Sequence, residues 1–276
     1  MSGALRFVRR NPTIAVGALM LLAVALAAVF APLIAGDPLL LVPIDRLLPP
    51  SAAHLLGTDH LGRDVFARAV YGARISLIVG LSVAVVSIAI GLAIGLAAGY
   101  WRRFDAVVMR FMDGLMAIPS ILLAIALVSL NRASVGIVIV AITIPEVPRI
   151  VRLVRSVVLT VREMPYIEAA VSGGSPARKI ILRHILPSTI APLIVQGTYI
   201  TASAILVEAG LSFLGAGVPP EIPTWGNMIA GSRLYVGRAP WTIFAPGVLL
   251  ALVILAVNLL GDGLRDRLDV RLARRM

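Results

Sequence analysis

The side chains that most often carry chemistry are sparse in this sequence. Its three histidines, His54, His60 and His184, do not form the H-E-x-x-H motif of a zinc protease. Residues 173–180 contain Lys179, but they lack the glycine before it and the Ser or Thr after it that a phosphate-binding loop requires. A G-x-S-x-G elbow and cysteine are both absent, which excludes serine-elbow and thiolate chemistry. Transport or scaffolding is therefore favoured over catalysis.

The composition indicates a membrane protein. Of the 276 residues, 59% are hydrophobic and only 14% are charged, whereas an average soluble domain has roughly 25% charged residues. The mean hydropathy is +0.97, which argues against both a soluble monomer and a disordered chain. The sequence therefore predicts an integral membrane protein.

Charge-free runs locate the membrane spans, because a helix needs about 20 apolar residues to cross a hydrocarbon core of about 30 Å. The expected spans lie near residues 13–34, 76–100, 108–130, 133–151, 190–212 and 243–261. The fourth must extend past Glu146 to reach this length. The third contains Pro119, which predicts a kink, and Arg110 with Asp113, which are spaced to form an ion pair. The first apolar run, residues 11–36, exceeds the core of a signal peptide, which favours an uncleaved helix.

The net charge of +11 is distributed unevenly between the two sides that these spans define. Segments on the side of the N-terminus carry eighteen basic and eight acidic residues, whereas the opposite segments carry seven and six. Basic residues accumulate on the cytoplasmic side of membrane proteins. The sequence therefore predicts that both termini are cytoplasmic, and the charge indicates orientation rather than binding to nucleic acid.

The cytoplasmic connection near residues 152–189 lies between the fourth and fifth predicted spans. Pro165 and the pair Gly173-Gly174 delimit a short helix, and Pro176 is suited to the first turn of a second one. Apolar residues then recur at helical spacing. A short amphipathic helix of this kind can lie in the groove of a partner, and a solvated linker is the alternative.

This loop resembles the E-A-A-x-x-x-G-x9-I-x-L-P loop found in permease subunits of ABC importers. The residues at the family spacing are Glu168, Ala169, Ala170, Gly174, Leu186 and Pro187, with His184 where the pattern has Ile. Residues 57–77, 208–226 and 258–266 are similar to the dipeptide, oligopeptide and nickel branch of that family. Two features depart from it: Glu146-Val147-Pro148-Arg149 lacks the common Trp-Pro, and Gly173 stands where a bulkier residue is usual. The chain looks most like the C-type permease subunit.

The resemblance implies an all-α integral membrane fold with six transmembrane helices and a cytoplasmic coupling-helix loop, as in type I ABC importers. It implies a cytoplasmic tail over residues 1–12, a permease domain over 13–265 and a second cytoplasmic tail over 266–276. The coupling loop lies near 160–187. The implied location is the bacterial inner membrane.

The resemblance also implies the partners. A sister permease completes the pathway, two ATP-binding subunits hold ATP and Mg²⁺, and an extracytoplasmic binding protein delivers the substrate. This chain is then a non-catalytic subunit that holds no cofactor and contacts lipid but no nucleic acid. The residues expected to couple it to the ATPase are Glu168, Ala169, Ala170, Gly174, Arg178, His184, Leu186 and Pro187. In this set Glu168 offers an acceptor, the alanines permit close approach, and Gly174 permits a turn.

Di- or oligopeptides are the expected substrates, with nickel or another small solute such as glutathione as the alternative within the same family. A stand-alone channel or secondary transporter would need ionisable residues along a path in the bilayer. Such residues are nearly absent from the predicted spans. This class is therefore disfavoured.

Two further features leave alternatives open. Gly91, Gly95 and Gly99 form a stripe on the second predicted span that lets helices approach closely. The stripe packs either within this chain, which is favoured, or across the permease pair. Residues 59–74 and 219–225 either meet the binding protein or cap the spans, and Glu208 is expected near the outer interface.

Overall fold

The computed structural model describes residues 11–273, with side chains described through Leu268. All regular elements in this part are helices: α1 (Pro12–Val29), α2 (Ala31–Ile34), α3 (Val65–Tyr100), α4 (Arg102–Met116), α5 (Ser120–Ser129), α6 (Val135–Arg162), α7 (Pro165–Ser172), α8 (Ala177–Lys179), α9 (Leu186–Phe213), α10 (Trp225–Ser232) and α11 (Trp241–Ala273). A wide helical turn, Ile180–Ile185, joins α8 to α9, and tight turns lie at Pro43–Asp45 and Arg233–Tyr235. The first ten residues, which belong to the predicted N-terminal tail, lie outside the described residues. So do the last three, which include Arg274 and Arg275 of the predicted orientation signal.

Four of the described helices are long and apolar enough to cross a membrane: α1, α3, α11 and the continuous stretch Ala177–Phe213 that ends in α9. They coincide with the first, second, sixth and fifth predicted spans. The third is instead a pair of helices, α4 and α5, bent by 85°. The fourth corresponds to α6, whose first 18 residues include Glu146, Arg149 and Arg152. The all-helical membrane fold is confirmed, whereas the described helices do not establish that six of them cross the membrane.

The break between α4 and α5 lies just before Ser120. Pro119 immediately precedes α5, and its ring prevents the helix from continuing through this point. The predicted kink at Pro119 is therefore confirmed, and it is a sharp break rather than a gentle bend.

Ion pairs hold α4 against α6. Asp105 accepts hydrogen bonds from Nε and Nη2 of Arg155 at 2.5 and 2.7 Å, and Asp113 accepts one from Nη2 of Arg152 at 2.6 Å. The predicted pairing of Arg110 with Asp113 is wrong. The physical reason is that α4 turns its carboxylates toward α6, where two arginines stand one turn apart.

Helix α3 is central to the packing. It lies along α6 and also contacts α9, while α1 packs against α11. In the half of α3 nearer α7, a stripe of glycines faces α6. Because glycine has no side chain, aliphatic side chains of α6 pack directly against the backbone of α3. Gly91, Gly95 and Gly99 face Ile150, Val154 and Val158. Both stripes recur every four residues, so they form the facing sides of two closely packed helices.

The end of the helices that bears α7 is called the inner end below, and the opposite end the outer end. At the outer end the turn before α3 is built around two aspartates. Asp59 accepts from the backbone N–H of Leu61 and Arg63 and from Nε of Arg63, and Asp64 caps α3 by accepting from the N–H of Ala67 at 2.8 Å. This turn fixes where α3 begins.

The last helix, α11, continues to Ala273, past the predicted start of the C-terminal tail at residue 266. The limits of the predicted N-terminal tail, permease domain and C-terminal tail stay predictions.

Candidate functional site

Helix α7 forms at the position where the sequence predicts a docking helix. Pro165 occupies its first turn after the extended Met164, where a missing N–H is harmless. Ile167 is 2% exposed and belongs to the apolar cluster that contains Val161 and Ile180. One buried side chain thus anchors a short helix whose remaining surface is largely free.

The exposed surface of α7 combines a charge with small and apolar side chains. Glu168 and Ala169 are exposed and Ala170 is half-buried, while Tyr166 and Val171 are 50% and 55% exposed. Among the described residues, no basic side chain forms an ion pair with Glu168. The exposed surface of α7 thus presents one carboxylate, without a basic partner among the described residues, next to small and apolar side chains.

The end of α7 requires a residue that tolerates a left-handed backbone. Gly174 has φ +75°, its N–H donates to the carbonyl oxygen of Val171 at 2.9 Å, and the N–H of Ser175 donates to that of Ala170 at 3.0 Å. This pair of bonds is the Schellman motif. A Cβ on Gly174 would meet no atom within 4 Å, so the backbone conformation and not the space selects glycine.

Beyond Gly174 the chain returns to the membrane as one helical stretch. Pro176 precedes α8 as its N-cap rather than forming its first residue, and α8, the wide turn and α9 continue without interruption from Ala177 to Phe213. The prediction of helix in this segment is confirmed, but its separation from the fifth span is wrong. The buried Ile180 and Ile185 pack the segment into the core that anchors α7, which makes it continuous with α9.

The eight predicted coupling residues fall on two neighbouring parts of this loop. The helix α7 and its final turn carry Glu168, Ala169, Ala170 and Gly174, and the returning helix carries Arg178, His184, Leu186 and Pro187. The His184 ring lies 6.4 Å from the ring of Tyr166, which brings the two parts together. Arg178 and Pro187 are exposed, and His184 and Leu186 are half-buried.

Arg162 has a positioning role that sequence reasoning missed. It is the last residue of α6, and its Nη1 donates to the carbonyl oxygens of Gly99 and Tyr100 at 3.4 and 3.0 Å. It therefore joins the ends of α6 and α3 just before α7 begins. The signal that indicates this role is a basic residue near the end of a long helix, where carbonyl groups lack partners.

A groove of about 810 Å³ lies beside α7. Its lining includes Trp101, Arg102 and Arg103 from the junction of α3 and α4, together with Glu168 of α7. A partner that docks here would meet an acidic helix face next to a basic rim. Within the described residues, no three His, Asp or Glu side chains converge in a way that would hold a metal ion.

The residues of the outer motifs are mostly buried within the chain. Trp225 is fully buried and its Nε1–H donates to the carbonyl oxygen of Ala69 at 2.9 Å. Glu208 is fully buried near the outer end of α9 and accepts from Oγ of Ser212 at 2.8 Å. Asp59 is 5% exposed. The sequence left open whether these segments meet the binding protein or cap the spans. The burial of the residues named here agrees with capping.

Comparison with known proteins identifies similar sequences along nearly the whole chain. The model of a family described as binding-protein-dependent transport system inner membrane component matches residues 87–274. A probable peptide ABC transporter permease protein of Sinorhizobium fredii is 61% identical over 270 residues, which cover 98% of this chain and 93% of the relative. A dipeptide transport system permease protein of Alkalihalophilus pseudofirmus is 43% identical, covering 98% and 89%. A glutathione transport system permease protein of Pectobacterium atrosepticum is 41% identical, covering 97% and 89%.

The fold also resembles a solved structure. A chain of the methionine ABC transporter MetNI in an inward-facing conformation superposes with a TM-score of 0.51 at 20% sequence identity, covering 70% of this chain and 94% of that chain. At this identity the similarity concerns the fold alone. It matches the all-helical arrangement described above.

Proposed function

The chain belongs to the family of binding-protein-dependent transport system inner membrane components, and from that premise we propose that it is the C-type permease subunit of an ATP-driven importer of di- or oligopeptides. The observation that carries this proposal is the near-complete alignment with relatives whose names specify peptide and dipeptide transport. As a multi-pass inner membrane component, the chain forms the translocation pathway with a sister permease. It does not itself hydrolyse ATP.

Coupling to the ATPase is assigned to α7. The exposed Glu168 and Ala169 would lie in a groove of an ATP-binding subunit, with Glu168 accepting a hydrogen bond from a basic or polar group there. Ile167 anchors the helix, and Arg162 fixes the ends of α3 and α6 above it. A displacement of α7 is thereby transmitted to the closely packed pair α3 and α6, because their glycine stripe leaves little room for independent movement.

The remaining partners follow from this assignment. Two ATP-binding subunits hold the ATP and Mg²⁺ at the inner end, which faces the cytoplasm, and both termini lie on that side. An extracytoplasmic binding protein delivers the substrate at the outer end. The excess of basic residues on the inner side supports this orientation.

Glutathione is the second candidate substrate, since a relative named for glutathione transport is 41% identical over nearly the same length. Glutathione is itself a small peptide derivative, so both candidates present amide groups and free carboxylates. Nickel stays the further alternative from the sequence. Competition by unlabelled glutathione or nickel against a labelled dipeptide in an uptake assay distinguishes these candidates.

Co-purification followed by reconstitution tests the proposal. An affinity tag on this chain is expected to retain a sister permease and ATP-binding subunits. The complex in liposomes, supplied with binding protein and internal ATP, is expected to accumulate a labelled dipeptide. Accumulation by the chain alone, without the ATP-binding subunits, would overturn the assignment as a permease subunit.

A further inference from the structure

A cavity of about 680 Å³ opens at the outer end of the helices. Its walls come from the segment before α3, the start of α3, the loop after α9, and α10 with the turn that follows it. Leu39, Leu61 and Phe213 provide apolar wall surface. The volume falls within the range of about 300–1,000 Å³ that small-molecule sites occupy, and it exceeds what one inserted protein side chain would fill.

Arg68 lines this cavity without a counterion. The side chain is 2% exposed, and among the described residues its one hydrogen bond runs from Nη1 to the carbonyl oxygen of Pro38 at 3.3 Å. A guanidinium has five N–H donors, so most of its hydrogen-bonding capacity is unused. Asp59 acts on Arg68 electrostatically, but its carboxylate is already paired with Arg63 at 2.7 Å. A buried charge in this state is unfavourable unless an anion joins it.

The charged groups in and next to the lining leave the cavity with a net positive character. Arg63 is paired with Asp59, Arg233 contributes a further guanidinium group, and Glu221 is the acidic residue of the lining. His60 also faces the cavity, and burial lowers the pKa of its imidazole, which favours the neutral ring. An anion that enters therefore meets a basic floor and apolar walls.

We propose that this cavity is a carboxylate-binding site whose floor is Arg68. The ligand is a small molecule with a free carboxylate and an apolar body. The guanidinium fork would hold both carboxylate oxygens, and the apolar side chain of the ligand would lie against the leucine and phenylalanine walls. The C-terminal residue of a peptide has this chemistry; naming a peptide as the natural ligand rests on the proposed function, whereas the chemistry of the site does not.

Binding to the assembled transporter tests the site. The complex in nanodiscs, without binding protein, is titrated with L-alanyl-L-leucine and with its C-terminal amide. The free acid is expected to bind at least about tenfold more tightly than the amide, the scale of a hydrogen-bonded ion pair. Arg68→Gln is expected to weaken binding of the acid about 10- to 100-fold and to remove this discrimination. Arg74→Gln, an exposed arginine of the same helix outside the cavity lining, is the matched control and should keep it.

Arg68→Lys keeps the experiment decisive if Arg68→Gln does not assemble. Lysine retains the charge and a donor for Pro38 but loses the fork, so discrimination between acid and amide should shrink. Equal binding of acid and amide to the unaltered complex, or unchanged discrimination in Arg68→Lys, would overturn the proposal.

N-acetyl-L-leucine separates the site from the proposed function. If this compound binds in an Arg68-dependent manner while no peptide is bound or transported, the carboxylate site stands and peptide import fails. If peptide uptake is normal but Arg68→Lys leaves the preference for the acid intact, the site fails and the proposed function stands.

Discussion

Two glutamates with the same following residue lie in opposite environments. Glu168-Ala169 is on α7 at the inner end, and Glu208-Ala209 is near the outer end of α9. Glu168 is exposed, whereas Glu208 is fully buried and hydrogen-bonded to Ser212. Both helices then end at a left-handed glycine, Gly174 with φ +75° and Gly215 with φ +78°, through the same pair of backbone hydrogen bonds.

The contrast originates in the helices that carry these residues. Helix α7 has eight residues and a single buried anchor, so most of its surface has no partner in the chain. The outer part of α9 is surrounded by α3, α10 and α11. The same local signals therefore present a surface at the inner end and close a core at the outer end. Substitutions on the exposed face of α7 should therefore reduce coupling, whereas substitutions in the core around Glu208 should reduce stability.

The largest expected effect is on transport, at Glu168. Glu168→Arg reverses the charge that α7 presents to its partner, and removing one member of an interfacial charge pair costs about 2–5 kcal/mol. Binding-protein-dependent uptake should fall at least about tenfold, with no change in thermal midpoint. Glu163→Arg, an exposed glutamate next to α7, is the matched control. Equal losses in both variants would show that charge on the loop, and not the α7 face, controls uptake.

The second prediction compares two glycines of α3 that differ in how closely a neighbouring helix packs against them. A Cβ on Gly91 would lie 2.5 Å from Cβ of Ile150, whereas one on Gly72, in the outer half of α3, would lie 3.2 Å from Cδ1 of Trp225. Gly91→Ala should lower the free energy of unfolding by about 2–3 kcal/mol through overpacking. Gly72→Ala should stay within about 1 kcal/mol, because the gain in helix propensity offsets a slight crowding. SDS titration of the purified complex measures both, and similar losses would mean that α3 packs equally tightly along its length.

Sequence reasoning succeeds where the cause is local. Pro119 predicts the break before α5 because its ring forbids helix on its N-terminal side. Gly174 marks the end of α7 because few other residues adopt its conformation. The spacing of the glycine stripe indicates a close helix contact, and the structure places that contact against α6 of the same chain.

Sequence reasoning fails where distant segments decide the outcome. Asp113 pairs with Arg152, 39 residues away, because α4 folds back along α6. Arg162 reaches the end of α3 because α3 packs along α6. The burial of Glu208 depends on the helices that surround it, which its local sequence does not show.

The third prediction concerns the buried hydroxyl next to Glu208. Ser212→Ala removes a hydrogen bond that the carboxyl group of Glu208 accepts and leaves this buried group less satisfied, which costs about 1–2 kcal/mol. Ser172→Ala, an exposed serine at the end of α7, should change the free energy of unfolding by less than about 0.5 kcal/mol. The same SDS titration compares the two variants. A loss at Ser172 as large as at Ser212 would contradict the division between a free inner surface and a closed outer core.

The smallest effects are expected at the two left-handed glycines, where the comparison is most direct. Gly174→Ala and Gly215→Ala each place a Cβ in open space, so each should lower the free energy of unfolding by about 1 kcal/mol through backbone strain alone. The functional consequences should differ, because the turn at Gly174 sets the orientation of α7 toward its partner. The number of peptides imported per ATP hydrolysed should therefore fall in Gly174→Ala relative to Gly215→Ala, as measured in proteoliposomes. Equal ratios in the two variants, with the expected equal losses of stability, would mean that the orientation of α7 is not set by its final turn.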